Sequence, residues 1–270
     1  MIACSVFIEH RTLGVALTGQ DGGRFTDRVV VVTGAGSGIG RATALAFARA
    51  GARVLGVGRR AHALEETARQ HPGIAALAAD LRAADSPETI VRTAVDRWGR
   101  VDVLVNNAGA TMMMPLAETT AARVTDLFAL NVTAPSLLAR AVLPHLRRTH
   151  GSIVNVSSTY GHRPLPGAAH YAASKAAIEQ LTRSWALELA GDGIRVNALA
   201  PGPTESEALA SAGLPDAVVE QVKQDEARSI PLGRRGEPGE VAEWILRLAD
   251  PGATWLTGQV LTLDGGLELT

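Results

Sequence analysis

The sequence predicts an α/β fold: one doubly wound parallel sheet of about seven strands, with helices on both faces. Three observations carry this. Apolar runs alternate with helical stretches along nearly the whole chain. The strand-like runs are apolar on both faces, as strands covered by helices on each side must be. A glycine-rich loop joins the first such run to the first helical stretch.

Length and composition agree. A chain of 270 residues, 46% apolar and 20% charged, can bury a large core within one domain. The net charge of −1 gives no reason to expect nucleic acid or an anionic membrane as partner. Cys4 is the only cysteine, so no internal disulfide forms, and a reducing, cytoplasmic setting is expected. No metal site is expected. No segment offers 18 uninterrupted apolar residues, and Met1–Ile8 is too short for a signal peptide or a span.

Taken in order, Val29–Val32 is a β-branched run that reads as the first buried strand. It feeds Thr33-Gly34-Ala35-Gly36-Ser37-Gly38-Ile39-Gly40, then a helix to about Ala50. Glycines let this loop tighten and let backbone approach a ligand. The free N–H groups of the helix start suit a pyrophosphate. Arg53–Val57 is the second strand, Ala61–Gln70 a helix, and Ile74–Ala79 the third strand, ending in Asp80-Leu81. Ser86 and Glu88 open the next helix, which ends near Trp98-Gly99. Val101–Val105 is the fourth strand, followed by Asn106-Asn107-Ala108-Gly109. A long helix is expected over Ala121–Arg148, bent near Pro135 and Pro144, with Asn131 inside it. Ile153–Val156 and Ile194–Leu199 are the fifth and sixth strands, and Val260–Leu263 is the last. Residues 203–232 are long for a connection and are read as a lid over a site.

The stretch with the most chemistry is Ser158 to Lys175. Tyr171 and Lys175 are four apart and share one helix face. Ser158 follows the fifth strand, and a loop with Gly161, Pro164, Pro166 and Gly167 can fold the chain back. A hydroxyl, a phenol and an ammonium can thus converge on one substrate oxygen. A free phenol is a poor acid or base at neutral pH. A neighbouring ammonium favours the phenolate and makes proton transfer useful. The chain has only two lysines and two tyrosines, so a chance pair at this spacing is rare.

These residues resemble the active-site signature of the short-chain dehydrogenase/reductase family, and so do the spacing of Gly34, Gly38 and Gly40, the Asn-Asn-Ala-Gly turn, Pro201-Gly202 and the Asp264-Gly265-Gly266 ending. The resemblance covers about residues 25–267. It implies a Rossmann-like sheet forming a single dinucleotide-binding and catalytic domain over 25–270. Residues 1–24 are then extra: a mobile extension or an over-long start, in preference to a strand Cys4–Ile8 packed on a neighbouring subunit.

The resemblance implies an NAD(P)-dependent oxidoreductase that interconverts a carbonyl and a secondary alcohol. Tyr171 is its acid/base, Ser158 holds the reacting oxygen and Lys175 supports the phenol. Asn131 would kink its helix and hold a water near Lys175. The cofactor would lie on Gly34, Ser37, Gly38, Ile39 and Gly40, on Asp80 and Leu81, and on Asn107, Ala108 and Gly109, besides Tyr171 and Lys175. Pro201, Gly202 and Ser206 would meet its nicotinamide end, with Thr204 sharing that role. A catalytically silent dinucleotide sensor or scaffold is the alternative; the presence of Asn131, Ser158, Tyr171 and Lys175 speaks against it.

The residue closing the second strand selects the cofactor. An acidic side chain there bonds the ribose 2′-hydroxyl of NAD. Here the place is taken by Gly58, with Arg59 next, so NADP(H) is expected over NAD(H), which stays possible. Arg60 either assists or is a solvated residue opening the next helix. Ser37 stands where many NADP-preferring relatives carry a second basic residue. Met112–Pro115 either line a substrate pocket or merely pack, and His162 and Arg163 are read as a solvated loop rather than an acid-substrate contact. The expected substrate is a small, moderately apolar ketone or alcohol. A homotetramer is expected, with a dimer second.

Overall fold

The computed structural model describes residues 23–205 and 216–270. Seven strands form one sheet: β1 Val29–Thr33, β2 Arg53–Gly58, β3 Ile74–Ala78, β4 Val103–Asn106, β5 Ser152–Val156, β6 Arg195–Pro201 and β7 Val260–Leu263. Their order is β3-β2-β1-β4-β5-β6-β7, and every pairing is parallel. The helices are α1 Gly38–Arg49, α2 Ala61–Arg69, α3 Ser86–Trp98, α4 Ala121–Phe128, α5 Ala134–Thr149, α6 Ala169–Leu189, α7 Asp216–Ser229 and α8 Pro238–Ala249. The order turns outward from β1 in one direction and from β4 in the other. Ligands of such sheets lie beyond the carboxyl ends of the strands at that switch.

The valine run shows why both faces had to be apolar. Val30 and Val32 pack with Phe47 of α1 and Ile245 of α8, whereas Val29 and Val31 pack with Ile90 of α3 and Leu146 of α5. All four are buried. Each contributes roughly 2 kcal/mol by leaving water.

Two boundaries differ from expectation. Strand β4 is bounded at Val103; Asp102, just before it, already donates its N–H to the Val29 carbonyl (2.8 Å) and accepts from the Ser152 N–H (2.9 Å). Its buried carboxylate accepts from the Val29 N–H (2.9 Å), Arg28 Nη1 (2.8 Å) and Arg100 Nη2 (2.6 Å), tying the strand ends together. The long helix is interrupted ahead of the prolines, by a π turn over Ala129–Thr133. Pro135 has no N–H to give the carbonyl of Asn131, so the α pattern cannot close there and the chain widens by one residue. Pro144 lies inside α5 without ending it. By length and hydropathy alone the run Ala121–Thr149 is long and apolar enough to cross a membrane, but Leu127, Leu138, Val142 and Leu146 of it are buried in the core.

Candidate active site

The glycine loop runs from the end of β1 into α1. Gly34 (φ +71°) and Gly38 (φ +50°) adopt backbone that other residues avoid. A Cβ on Gly40 would lie 2.1 Å from the carbonyl oxygen of Gly34, so only glycine lets helix and loop approach this closely. The Asn-Asn-Ala-Gly turn braces the loop from the next strand. Thr33 Oγ1 accepts from the N–H groups of Asn107 and Ala108 (3.0 Å each), and Asn107 Nδ2 donates to the Thr33 carbonyl (2.8 Å). Asn106 turns the other way and donates to Asn155 Oδ1 (2.9 Å), which in turn donates from Nδ2 to Thr182 Oγ1 (2.9 Å) on α6.

A cavity of about 350 Å³ opens over this loop. It is lined by Gly34, Ser37, Gly38, Ile39, Gly40, Arg59, Arg60, Asp80, Leu81, Asn107, Ala108 and Gly109, all expected from sequence, and also by Gly36, Gly58, Leu64, Ala79 and Leu130. The glycine cradle, the free amides at the start of α1 and the two arginines fit a dinucleotide. Arg60 Nη2 donates to Ser37 Oγ (2.9 Å), so a guanidinium reaches the loop position where Ser37 supplies no charge of its own. A larger cavity, about 610 Å³, is lined by Phe25, Arg28, Asp102, Arg195 and Trp255 at the amino ends of the strands. That is the wrong end of the sheet for this fold's ligands.

Beyond the carboxyl ends of β5 and β4 lie the other expected residues. Ser158, Tyr171, Lys175 and Asn131 are all buried. Ser158 opens a short 3₁₀ turn, Thr159–Gly161, and its Oγ accepts from the Tyr160 N–H (3.3 Å). Tyr171 is in the first turn of α6, and Lys175 follows one turn on. Lys175 Nζ donates to the Val156 carbonyl (2.9 Å) and lies 5.9 Å from the centre of the Tyr171 ring. Burial holds this lysine below its ordinary pKa, against the pull of the negative charge that Tyr171 and Glu179 can carry.

Asn131 is a clamp whose side chain is fully used. Its Oδ1 accepts from the Ala110 N–H (2.9 Å), and its Nδ2 donates to the Ala110 carbonyl (2.9 Å) and to Ser174 Oγ (3.0 Å). Gly109 sits at the junction: a Cβ there would be 3.3 Å from Asn131 Oδ1 and 3.4 Å from Lys175 Nζ. The cofactor-side turn, the clamp and the lysine therefore meet at one point.

The remaining expectations divide. Pro201 and Gly202 end β6, where Gly202 donates to the Leu263 carbonyl (3.0 Å). Thr204 Oγ1 is turned back onto the Gly202 carbonyl (3.0 Å). None of these three lines the 350 Å³ cavity. Residues 206–215 of the expected lid, Ser206 among them, lie outside the described residues, as do residues 1–22, while Asp216–Ser229 of it is α7. Of Met112–Pro115, Met112 packs near Tyr171 with Ala110, Tyr160 and Leu165, Met114 is buried and Met113 is exposed. Tyr160 was not anticipated; its place beside Ser158 was the available signal. Burial raises its pKa, and Tyr171 adds to this while Arg163 opposes it. His162 is exposed and Arg163 half-buried, as a solvated loop would be, but both are also tied down: His162 is bonded to Glu179 and Glu268, and Arg163 to Thr270.

Comparison with known proteins agrees with this geometry. A family model described as enoyl-(acyl carrier protein) reductase matches residues 34–268. The chain is 37% identical over 251 residues to the 3-oxoacyl-(acyl-carrier-protein) reductase FabG of Thermotoga maritima, covering 91% of this chain and 100% of that protein. It is 37% identical over 256 residues to L-fucose dehydrogenase of Oryctolagus cuniculus, covering 92% and 87%. A crystal structure of a short-chain dehydrogenase/reductase of unknown function from Caenorhabditis elegans, with cofactor, superposes with a TM-score of 0.86 at 36% identity over 92% of this chain and 97% of that one. Sheet order, loop and relatives converge: the chain belongs to the short-chain dehydrogenase/reductase family of NAD(P)-dependent oxidoreductases.

Proposed function

We propose that the protein interconverts a moderately apolar ketone and its secondary alcohol, with Tyr171 as general acid/base. The observation that carries this is the burial of Ser158, Tyr171 and Lys175 together, with Lys175 Nζ beside Gly109 at the edge of the cavity over the glycine loop. The nicotinamide cofactor, when bound, supplies or accepts the hydride. Ser158 Oγ–H donates a hydrogen bond to the substrate oxygen. Tyr171 Oη gives that oxygen a proton in reduction and takes one from it in oxidation. The Lys175 ammonium, held by the Val156 carbonyl, stabilises negative charge developing on the phenol oxygen. Met112, Tyr160 and Leu165 around Tyr171 favour an apolar body on the substrate.

For the cofactor, Gly34, Ser37, Gly38, Ile39 and Gly40 would hold the pyrophosphate. Asp80 and Leu81 would flank the adenine, with Pro201, Gly202, Thr204 and Ser206 toward the nicotinamide. NADP(H) is the preferred form. Gly58 brings no carboxylate, Arg59 follows it, and the Arg60 guanidinium lies against Ser37. The assembly is a homotetramer, a reading supported by the exposed apolar residues Leu137 of α5 and Leu187 of α6.

The test is turnover of a panel of ketones and alcohols, followed by absorbance of the reduced nicotinamide, in wild type and Tyr171→Phe. The variant keeps the ring and loses the proton, so kcat is expected to fall at least ~10²-fold with the fold intact. Near-normal turnover by the variant would refute the assignment.

A further inference from the structure

One side chain between Ser158 and Tyr171 bridges two elements that are distant in sequence. His162 Nδ1 is 3.1 Å from Glu179 Oε1, and its Nε2 is 2.6 Å from Glu268 Oε2. A neutral imidazole has one N–H and one lone pair, and a lone pair facing a carboxylate oxygen is repelled. Both nitrogens can donate only in the imidazolium form. The site is therefore built for a positive ring between two carboxylates.

Each carboxylate is fixed from its own side. Glu179 is buried on α6, one turn beyond Lys175, and accepts from Ser157 Oγ (2.9 Å). Arg183 lies 3.8 Å from its other oxygen. Glu268, in the 3₁₀ turn Leu267–Leu269, accepts from Thr262 Oγ1 of β7 (2.8 Å) and donates its N–H to Asp264 Oδ2 (2.8 Å). Asp264 Oδ2 also accepts from Thr159 Oγ1 (3.1 Å). Arg163 donates to the Thr270 carbonyl (3.2 Å). The backbone at Gly161 passes so close to Glu179 that a Cβ would meet its Oε1 at 2.3 Å. The turn carrying Ser158 is thus held on one side by α6 and on the other by residues 264–270.

We propose that His162 is a positioning residue: as an imidazolium between Glu179 and Glu268, it locks residues 267–269 and the Ser158 turn onto α6, setting Ser158 relative to Tyr171. This deepens the functional reading above and rests on Ser158 and Tyr171 sharing the substrate oxygen. The groups facing the ring are Glu179, Glu268 and the Thr262 hydroxyl; Arg183 and Lys175 lie on the far side of Glu179. Burial lowers the pKa of His162, but the hydrogen bonds from its ring to Glu179 and Glu268 outweigh that and leave it raised. The bridge is therefore complete below the ordinary histidine value of about 6.5 and is lost as pH rises through the raised one.

The experiment compares wild type, His162→Gln and Glu268→Gln from about pH 6 to about pH 9, through the range in which histidine titrates. Thermal midpoints, kcat and both KM values are measured at each pH. Wild type is expected to be more stable than either variant at low pH, with the gap narrowing as pH rises. At low pH kcat of His162→Gln should be down roughly 10-fold, since small misplacements of a reacting group cost rates of this order, with cofactor KM unchanged. A gap that stays constant with pH, or a kcat equal to wild type's, overturns the proposal. If His162→Gln does not fold, Glu268→Gln gives both readings by itself. A wild type that turns over none of the panel would sink the reaction assigned above, whereas the stability gap would still judge the bridge.

Discussion

Asn131→Ala removes the clamp that joins the π turn to both halves of the site. The side chain is 2% exposed and makes three hydrogen bonds, to both backbone groups of Ala110 and to Ser174 Oγ. Each such bond is worth about 1 kcal/mol net, and an orphaned buried partner costs about 1–3 kcal/mol. Alanine returns about half a kcal/mol through better helix propensity. The loss wins, at roughly 3 kcal/mol. For a domain of this size that corresponds to a fall in Tm of about 6–12 °C. Urea unfolding should show a lower midpoint at unchanged slope, because the core stays the same. Asn131→Asp makes a useful control: it keeps the acceptor for the Ala110 N–H but sets an oxygen against the Ala110 carbonyl. It should be destabilised as well. Catalysis should suffer with stability, since Gly109 and Lys175 rest against the clamp. A destabilisation under ~1 kcal/mol in Asn131→Ala would show that the hydrogen-bond argument is wrong.

Two further outcomes are expected. In Gly58→Asp/Arg59→Ala the cofactor order should reverse from NADP(H) to NAD(H). A carboxylate near a phosphate costs about 1–4 kcal/mol by Coulomb's law, so kcat/KM for NADP(H) should drop by about tenfold or more. The structure admits this change, because the nearest atoms to a Cβ at Gly58 are those of the Leu64 side chain, at 3.6–4.0 Å, an ordinary contact. A wild type that prefers NAD(H) would contradict the reading. Light scattering at micromolar concentration should give about four times the 28.1 kDa chain mass; the mass of a single chain would exclude the tetramer.

The fold was readable because its signals are local. Four consecutive valines at 29–32 suit only a strand covered on both faces, and glycines at 34, 38 and 40 mark the turn that follows. Tyr171 and Lys175 were legible for the same reason, since helical spacing alone brings them together. What escaped was set by partners far along the chain. A bend was expected near Pro135 and Pro144, and a kink at Asn131 from the family resemblance; the π form of the turn was not readable, nor were the partners of Asn131, since Ala110 and Ser174 are not its sequence neighbours. The loop histidine is exposed, as read, but its partners Glu179 and Glu268 come from elements that periodicity cannot align with it. Arg60 could be read equally as assisting the phosphate or as a solvated residue opening the next helix, and only the tertiary structure brings it against Ser37.

The amide pair Asn106–Asn155 does more than satisfy buried polar groups. The two residues are opposite partners in the β4–β5 ladder, so their bond resists any slip of one strand along the other. Asn106 is followed by the residue that braces the glycine loop, Asn155 lies just ahead of Ser158, and the thread ends at Thr182 on the helix of Tyr171 and Lys175. In the mechanism proposed above, hydride carrier, oxygen anchor and proton donor are thus measured from one common ruler inside the core. A loop above it that holds none of these bonds, such as 111–120, can then be exchanged to recognise other substrates without recalibrating those distances.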